Sequence, residues 1–293
     1  MALADALNSG KFVVTGELTP PKGVDTADMV AKAKVLEPVV DAINVTDNPS
    51  ARMQMSSLGG CLALIDAGFE PVYQLTCRDR NRLALQSELL TAASQGVRNV
   101  LALTGDHTKF GDHPQSKPVF DLDAVQLLQA IEALNGGRDM SGNELKGATS
   151  LLAGASVAPE AEPWEAQRIK FEKKVEAGAT FFQTQAVFDM QKLERLARVA
   201  SKLKVKVLAG LILLKSARMV EFLNAYVPGI IVPEGVVGRL AESDKPSETG
   251  IEIAVEQVAR FKELCDGVHM MVMGAEDRVA EILERAGVTA VRA

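Results

Sequence analysis

Short apolar runs rich in β-branched residues recur along this chain, and each leads through a turn into a longer segment with helical spacing. The runs cover 12–17, 41–46, 71–76, 97–104, 151–157, 180–185, 205–211 and 268–272. The helical segments between them carry start and stop signals. Asp25 is expected to cap one, with Asp28 three residues later as in a capping box. Asn48 is expected to cap the next, with Pro49 at its first position and the stretch "RMQM" supplying core contacts plus one surface Gln. Another starts after Pro163 and stops at Gly178, one begins at Asp189, and one runs from Ser216 to just before Pro228-Gly229. Continuous apolar strands alternating with helices imply parallel pairing with both faces covered. Eight of them close a (β/α)₈ ring. The expected fold class is therefore α/β, a single-domain (β/α)₈ TIM barrel over residues 1–293, with 228–250 as an irregular insertion too long for a plain connection. A doubly wound open sheet is the alternative; no G-x-G-x-x-G follows the first run.

Composition narrows the function classes. Hydrophobic residues make up 47% of the 293 and aromatics only 4%, so the core is built from aliphatic side chains. A net charge of −6, with no Lys/Arg run longer than two, gives no electrostatic reason to expect nucleic acid or a membrane surface as partner. The cysteines Cys61, Cys77 and Cys265 have no metal-ligand spacing and read as reduced thiols of a cytoplasmic protein. The opening "MALADALNSGKF" lacks the basic and long apolar regions of a signal peptide, and no stretch reaches the roughly 18 apolar residues of a membrane span.

In a barrel of this kind chemistry sits at the C-terminal ends of the strands. Polar groups gather there: Glu17, Thr46 and Asp47, Gln74 and Thr76, Asp106, and Gln183 with Gln185. Glu17 and Asp106 are expected to face each other across one mouth, where a partly dry setting pushes two carboxylates apart in proton affinity and keeps one protonated. Plainer roles compete with these. Glu17 could pair with Lys22, Asp106 could cap its turn, and His107 and His113 read as decoration of an exposed loop. Only one of Gln183 and Gln185 is expected to face inward. No third ligand at metal spacing accompanies the histidines, so no metal is expected.

The stretches "GELTPPKG", "INVTDNPSARM", "LTCRDRNRLALQSELLTAASQGVRNVLALTGD", "KPVFDLDAVQLL", "KKVEAGATFFQTQAVFD" and "AGLILL" resemble, in order and spacing, the methylenetetrahydrofolate reductase family. The resemblance spans nearly the whole chain. It implies a flavin at the strand ends, FAD first and FMN as the alternative, and reduction of 5,10-methylenetetrahydrofolate to 5-methyltetrahydrofolate. By matched position it makes Glu17 the general acid, kept protonated by low-dielectric surroundings, and Asp106 a carboxylate at the flavin's pyrimidine end. It puts Gln185 on the pterin, and Thr46, Gln74, Thr104, Gly105, Asp121 and Lys174 along the flavin. Departures spare Glu17, Asp106 and Gln185. Thr104 replaces an Arg, Gly154 and Ala158 replace a Tyr and a His that grip the flavin's tail, Ala217 replaces a stacking aromatic, and Ala275 replaces a late Arg. The pattern is closer to short reductase subunits of anaerobic one-carbon pathways. Electrons are therefore expected from NAD(P)H or from a redox partner subunit, and the chain could form a homo-oligomer. A catalytic subunit inactive alone and a non-redox pterin-binding barrel are the competing readings.

Overall fold

The computed structural model describes residues 2–227 and 229–289. A short helix α1 (Leu3–Asn8) precedes a regular alternation: β1 (Val13–Leu18), α2 (Ala27–Leu36), β2 (Ala42–Val45), α3 (Ser57–Asp66), β3 (Pro71–Thr76), α4 (Arg82–Ser94), β4 (Asn99–Leu103), α5 (Ala124–Asn135), β5 (Leu152–Val157), α6 (Trp164–Glu176), β6 (Phe181–Ala186), α7 (Met190–Leu203) and β7 (Lys206–Ile212). Then come α8 (Ala217–Tyr226), α9 (Glu234–Ala241), α10 (Pro246–Leu264), β8 (Gly267–Met271) and α11 (Val279–Arg285). Among the described residues, eight strands pair in parallel and in sequence order, and β8 returns to β1. The sheet is closed, so the open doubly wound alternative does not hold. The span 228–250, expected to be irregular, contains α9 and the first turn of α10; Pro228 itself lies outside the described residues.

The barrel's interior changes character along its axis. At the N-terminal end Val13, Ala42, Val72, Leu101, Phe181 and Leu208 form an apolar floor, closed from below by Leu3, Ala6 and Leu7 of α1. Gly154 belongs to this packing: a Cβ there would stand 2.3 Å from the Phe181 ring, so the ring fills the space that a side chain at 154 would need. Above the floor the inward positions turn polar, with Thr15, Asn44, Gln183 and His269 all buried. The outward strand faces pack on the helices in a second, larger aliphatic core. The site thus rests on a rigid base and opens upward.

Helix starts follow side-chain caps where the loop leaves room for them. Asn81, Asp189 and Ser216 accept from first-turn amides of α4, α7 and α8, and Asp123 forms a full capping box with Gln126 on α5. Gly178, at φ 104°, ends α6 as expected. Asp25 accepts only from the Ala27 amide, in a turn ahead of α2. The expected start at Asn48 and Pro49 is wrong. Only a single 3₁₀ turn forms over Pro49–Ala51, and α3 begins at Ser57, capped by Ser56. Asn48, Ser50 and Ala51 take φ of 46°, 53° and 57°, because the loop after β4 lies across them. Gly111 sits so close that a Cβ would be 1.8 Å from the Ala51 carbonyl oxygen, and Asp112 accepts from the Met53 amide. "RMQM" is accordingly loop rather than helix.

Asp47 shows how the strand ends are pinned. Its fully buried carboxylate accepts from the amide and hydroxyl of Thr76, at 3.0 and 2.7 Å, and from Arg80 at 2.7 and 3.2 Å. Arg80 continues to Glu88, which accepts from Tyr73. Asp47→Ala would leave a largely buried guanidinium without its main counter-charge, and we expect a loss of about 3–5 kcal/mol, read from urea unfolding midpoints.

Candidate active site

At the barrel mouth Glu17 lies on the inner face of β1, its side chain retaining 23% exposure. Its Oε2 accepts from Gln74 Nε2 at 2.9 Å and meets His269 Nε2 at 3.3 Å. Lys22 is not its partner; that lysine pairs with Asp112 at 2.7 Å. Burial pushes the Glu17 carboxyl upward, but the hydrogen bond and charge of His269, with the hydrogen bond from Gln74, outweigh it and hold the group below the usual carboxylate range. The expectation of a carboxyl kept protonated by its surroundings is therefore corrected for the free protein. Two donors converge on it, so the ionised form is preferred.

Beneath Glu17 a buried polar chain crosses the barrel. His269 Nδ1 meets Thr15 Oγ1 at 3.0 Å, Gln183 Nε2 donates to Thr15 Oγ1 at 3.3 Å, and Gln183 and Asn44 exchange two amide hydrogen bonds of 2.6 and 3.0 Å. These residues were not singled out from the sequence, apart from Gln183. The signal was present: Thr15 and Glu17 share a strand face, and a His inside the apolar strand "GVHMM" needs partners. Of Gln183 and Gln185 only Gln183 is buried in the interior, as expected, although not through simple alternation: β6 shifts register between Gln183 and Ala186, and Gln185 is exposed. Gln183 spans the interior while Gln185 lines a cavity at the mouth.

That cavity, of about 410 Å³, lies between the ends of β4, β5 and β6 and the helices α5 and α6. Thr104, Lys174 and Gln185 line it together with Asp123, Ser156, Ala158 and Lys170. The Lys174 ammonium donates to the Ser156 carbonyl at 2.8 Å. Burial, and then the neighbouring Lys170, pull its pKa down to about 8, against a smaller upward pull from Asp123. Two lysines facing one carboxylate leave a surplus of positive charge in a concave, partly apolar space. This fits a phosphate-bearing cofactor such as a flavin, and Ala158 leaves the space a larger side chain would fill.

The remaining expected site residues are placed as follows. Thr46 is buried at the end of β2 and donates to Thr19 Oγ1 at 3.1 Å. Gly105, at φ 91°, packs on Thr76 and Arg78 and turns the chain into Asp106. The Asp106 side chain is exposed, and its carbonyl accepts from the buried Arg78 guanidinium at 3.4 Å. It does not cap its turn; the His107 ring does, accepting from the Lys109 amide. Asp121 stands apart from the cavity, gripped by the amide and side chain of Arg82 and held down to about 2 by those hydrogen bonds. His107 and His113 are exposed. The described residues contain no cluster suited to a metal ion and no helix long and apolar enough to cross a membrane.

Comparison with known proteins matches residues 2–287 to the family model described as methylenetetrahydrofolate reductase. A 5,10-methylenetetrahydrofolate reductase of Pectobacterium carotovorum is 25% identical over 259 residues, 85% of this chain and 81% of the relative. A probable methylenetetrahydrofolate reductase (NADPH) of Caenorhabditis elegans is 22% identical over 75% of this chain, which spans only 33% of that longer protein. Among solved structures, an uncharacterised Clostridium thermocellum protein that binds two copies of 5-methyl-5,6,7,8-tetrahydrofolic acid superposes with a TM-score of 0.62 at 15% identity, covering 98% of both chains; at that identity it supports the fold alone. With the family model running from the plug helix to the last helix of the barrel, the chain belongs to the methylenetetrahydrofolate reductase family and is an oxidoreductase of that kind.

Proposed function

We propose that this mouth converts 5,10-methylenetetrahydrofolate to 5-methyltetrahydrofolate, with a flavin as hydride donor and Glu17 as general acid. What carries the proposal is a single half-buried carboxylate at the barrel mouth, organised by Gln74 and His269 on a rigid polar base. Opening the substrate's five-membered ring requires a proton at N10. Glu17 is ionised in the free protein and must gain that proton as substrate binds. A pterin covering the mouth deepens burial, which already acts upward on this group. Gln185, two residues beyond the interior amide, would hydrogen-bond the pterin edge. The Asp106 carboxylate, exposed on a loop fixed through Arg78, would favour positive charge on the opened substrate. The Clostridium protein's bound folates are its own; a folate in this mouth is in keeping with them.

A bound flavin would supply the hydride. Lys174 and Lys170 would hold its phosphate, and Thr104, Gly105 and Thr46 would border its ring, while Asp121 would keep the β4–α5 loop in place through Arg82. FAD and FMN both present the phosphate this requires. Ala217 and Ala275 offer no ring or cation to a nicotinamide, which favours a redox partner protein over free NAD(P)H as electron source. Stopped-flow reduction by NADH, NADPH and reduced ferredoxin compares the donors.

Purified protein should be yellow, bleach with dithionite, and recover its colour anaerobically on addition of methylenetetrahydrofolate. A colourless protein that binds the folate without turnover would instead mark a non-redox pterin barrel. Flavin affinity should also depend on pH through Lys174. An anion favours the ammonium, which is present below about pH 8 and lost above it. Affinity should be flat at lower pH and fall by up to about tenfold per unit above pH 8, and Lys174→Met should weaken binding and flatten this profile in a fluorescence titration.

A further inference from the structure

An amide, a hydroxyl and an imidazole in series can run their hydrogens in only two directions, and one of them is set here far from the reacting atoms. Asn44 Nδ2 donates to Gln183 Oε1 at 2.6 Å, and Gln183 Nε2 donates back to Asn44 Oδ1 at 3.0 Å. The other hydrogen of that Nε2 goes to Thr15 Oγ1 at 3.3 Å. Thr15, accepting there, has one proton to place, and among the described residues the acceptor it meets is His269 Nδ1 at 3.0 Å. In the neutral ring Nδ1 is then a lone pair and Nε2 carries hydrogen; in an imidazolium, once the hydroxyl turns, both nitrogens carry hydrogen and Nε2 still donates. Thr15, Asn44, Gln183 and His269 keep at most 3% exposure, which shuts the series off from bulk solvent.

We propose that Gln183, braced by Asn44, is a positioning residue: it fixes the tautomer of His269 so that Nε2 always donates to Glu17. Its importance to catalysis rests on the reading of Glu17 as the acid. Because Glu17 Oε2 faces hydrogens from both His269 and Gln74, a proton gained by the carboxyl resides on Oε1, which has no partner among the described residues. The series therefore reserves one oxygen for structure and leaves the other to carry the proton that is delivered. With the direction reversed, Nε2 would accept, Glu17 would spend its proton on His269, and the substrate would face an oxygen without one.

The test is ¹⁵N NMR of the full chain with labelled histidine, in a His107→Asn, His113→Asn background that leaves His269 as the lone signal. The expected result, at a pH alkaline enough to leave the ring uncharged, is the Nε2–H tautomer, with a bare Nδ1. Gln183→Glu, isosteric but able only to accept when ionised, should reverse the series, move hydrogen to Nδ1, and slow folate-driven flavin reoxidation by about tenfold or more with the folate KM within about twofold. An uncharged ring with its hydrogen on Nδ1 in the otherwise native chain overturns the proposal even if the variant does not fold. An unchanged tautomer in a folded Gln183→Glu protein overturns it as well. The tautomer is read without turnover, so it stands apart from any failure of Glu17 as the acid, which full activity in Glu17→Gln would reveal.

Discussion

Glu17→Gln is expected to lower folate-driven reoxidation of the reduced flavin by about 10²–10⁴-fold, the span usually supplied by a positioned general acid, while dithionite still bleaches the bound flavin normally. The substitution keeps the shape of the side chain. A Gln amide can still accept from Gln74 and His269, so the polar base below should survive, but the group can no longer deliver a proton at the mouth. Stability should change little, because Glu17 is only half-buried and its partners remain satisfied. Normal turnover in this variant would remove Glu17 from the acid role. A parallel loss of flavin binding would assign it to the cofactor instead.

Asp106→Asn is expected to slow the same half-reaction by about 10²-fold, the usual effect of removing one preorganised charge from a site, and to move the flavin potential upward, since a negative charge near the ring disfavours added electrons. The physical basis is a carboxylate with no partner of its own among the described residues, on a backbone held by Gly105 in its left-handed turn and by the Arg78 guanidinium on the Asp106 carbonyl. The loop therefore keeps its shape when the charge is lost. A potential unchanged by the substitution, measured by dye equilibration, would place Asp106 away from the flavin.

The strand pattern could be read before the structure because a parallel barrel buries both faces of its strands, and the resulting continuous apolar runs are hard to mistake. The helix starts at Asp189 and Ser216 were equally plain, since their caps depend only on local chain. The start at Asn48 failed because the decisive contact is not local: Gly111, more than sixty residues on, presses the Ala51 carbonyl. The same distinction divides the site. Thr104 and Gln185, at the ends of β4 and β6, meet Lys174 of α6 in one cavity. Asp121 and Asp47 carry equally suggestive carboxylates, yet both are committed to arginines, and an ion-pair partner cannot be chosen from strand order. His269 was passed over because its partners, Thr15 and Glu17, lie at the other end of the chain and meet it only when β8 closes on β1.

The central claim is that Glu17 and a folate's N10 meet at this mouth, above the His269 series and beside the Lys174 cavity. A crystal structure of the flavin-loaded protein with 5-methyltetrahydrofolate tests it most directly. The predicted result is Glu17 Oε1 within about 2.6–3.2 Å of N10, directly or through one water, with Gln185 on the pterin and the flavin phosphate against Lys174. A folate bound with N10 away from Glu17, or a flavin phosphate seated elsewhere than the Lys170–Lys174 cavity, would contradict it.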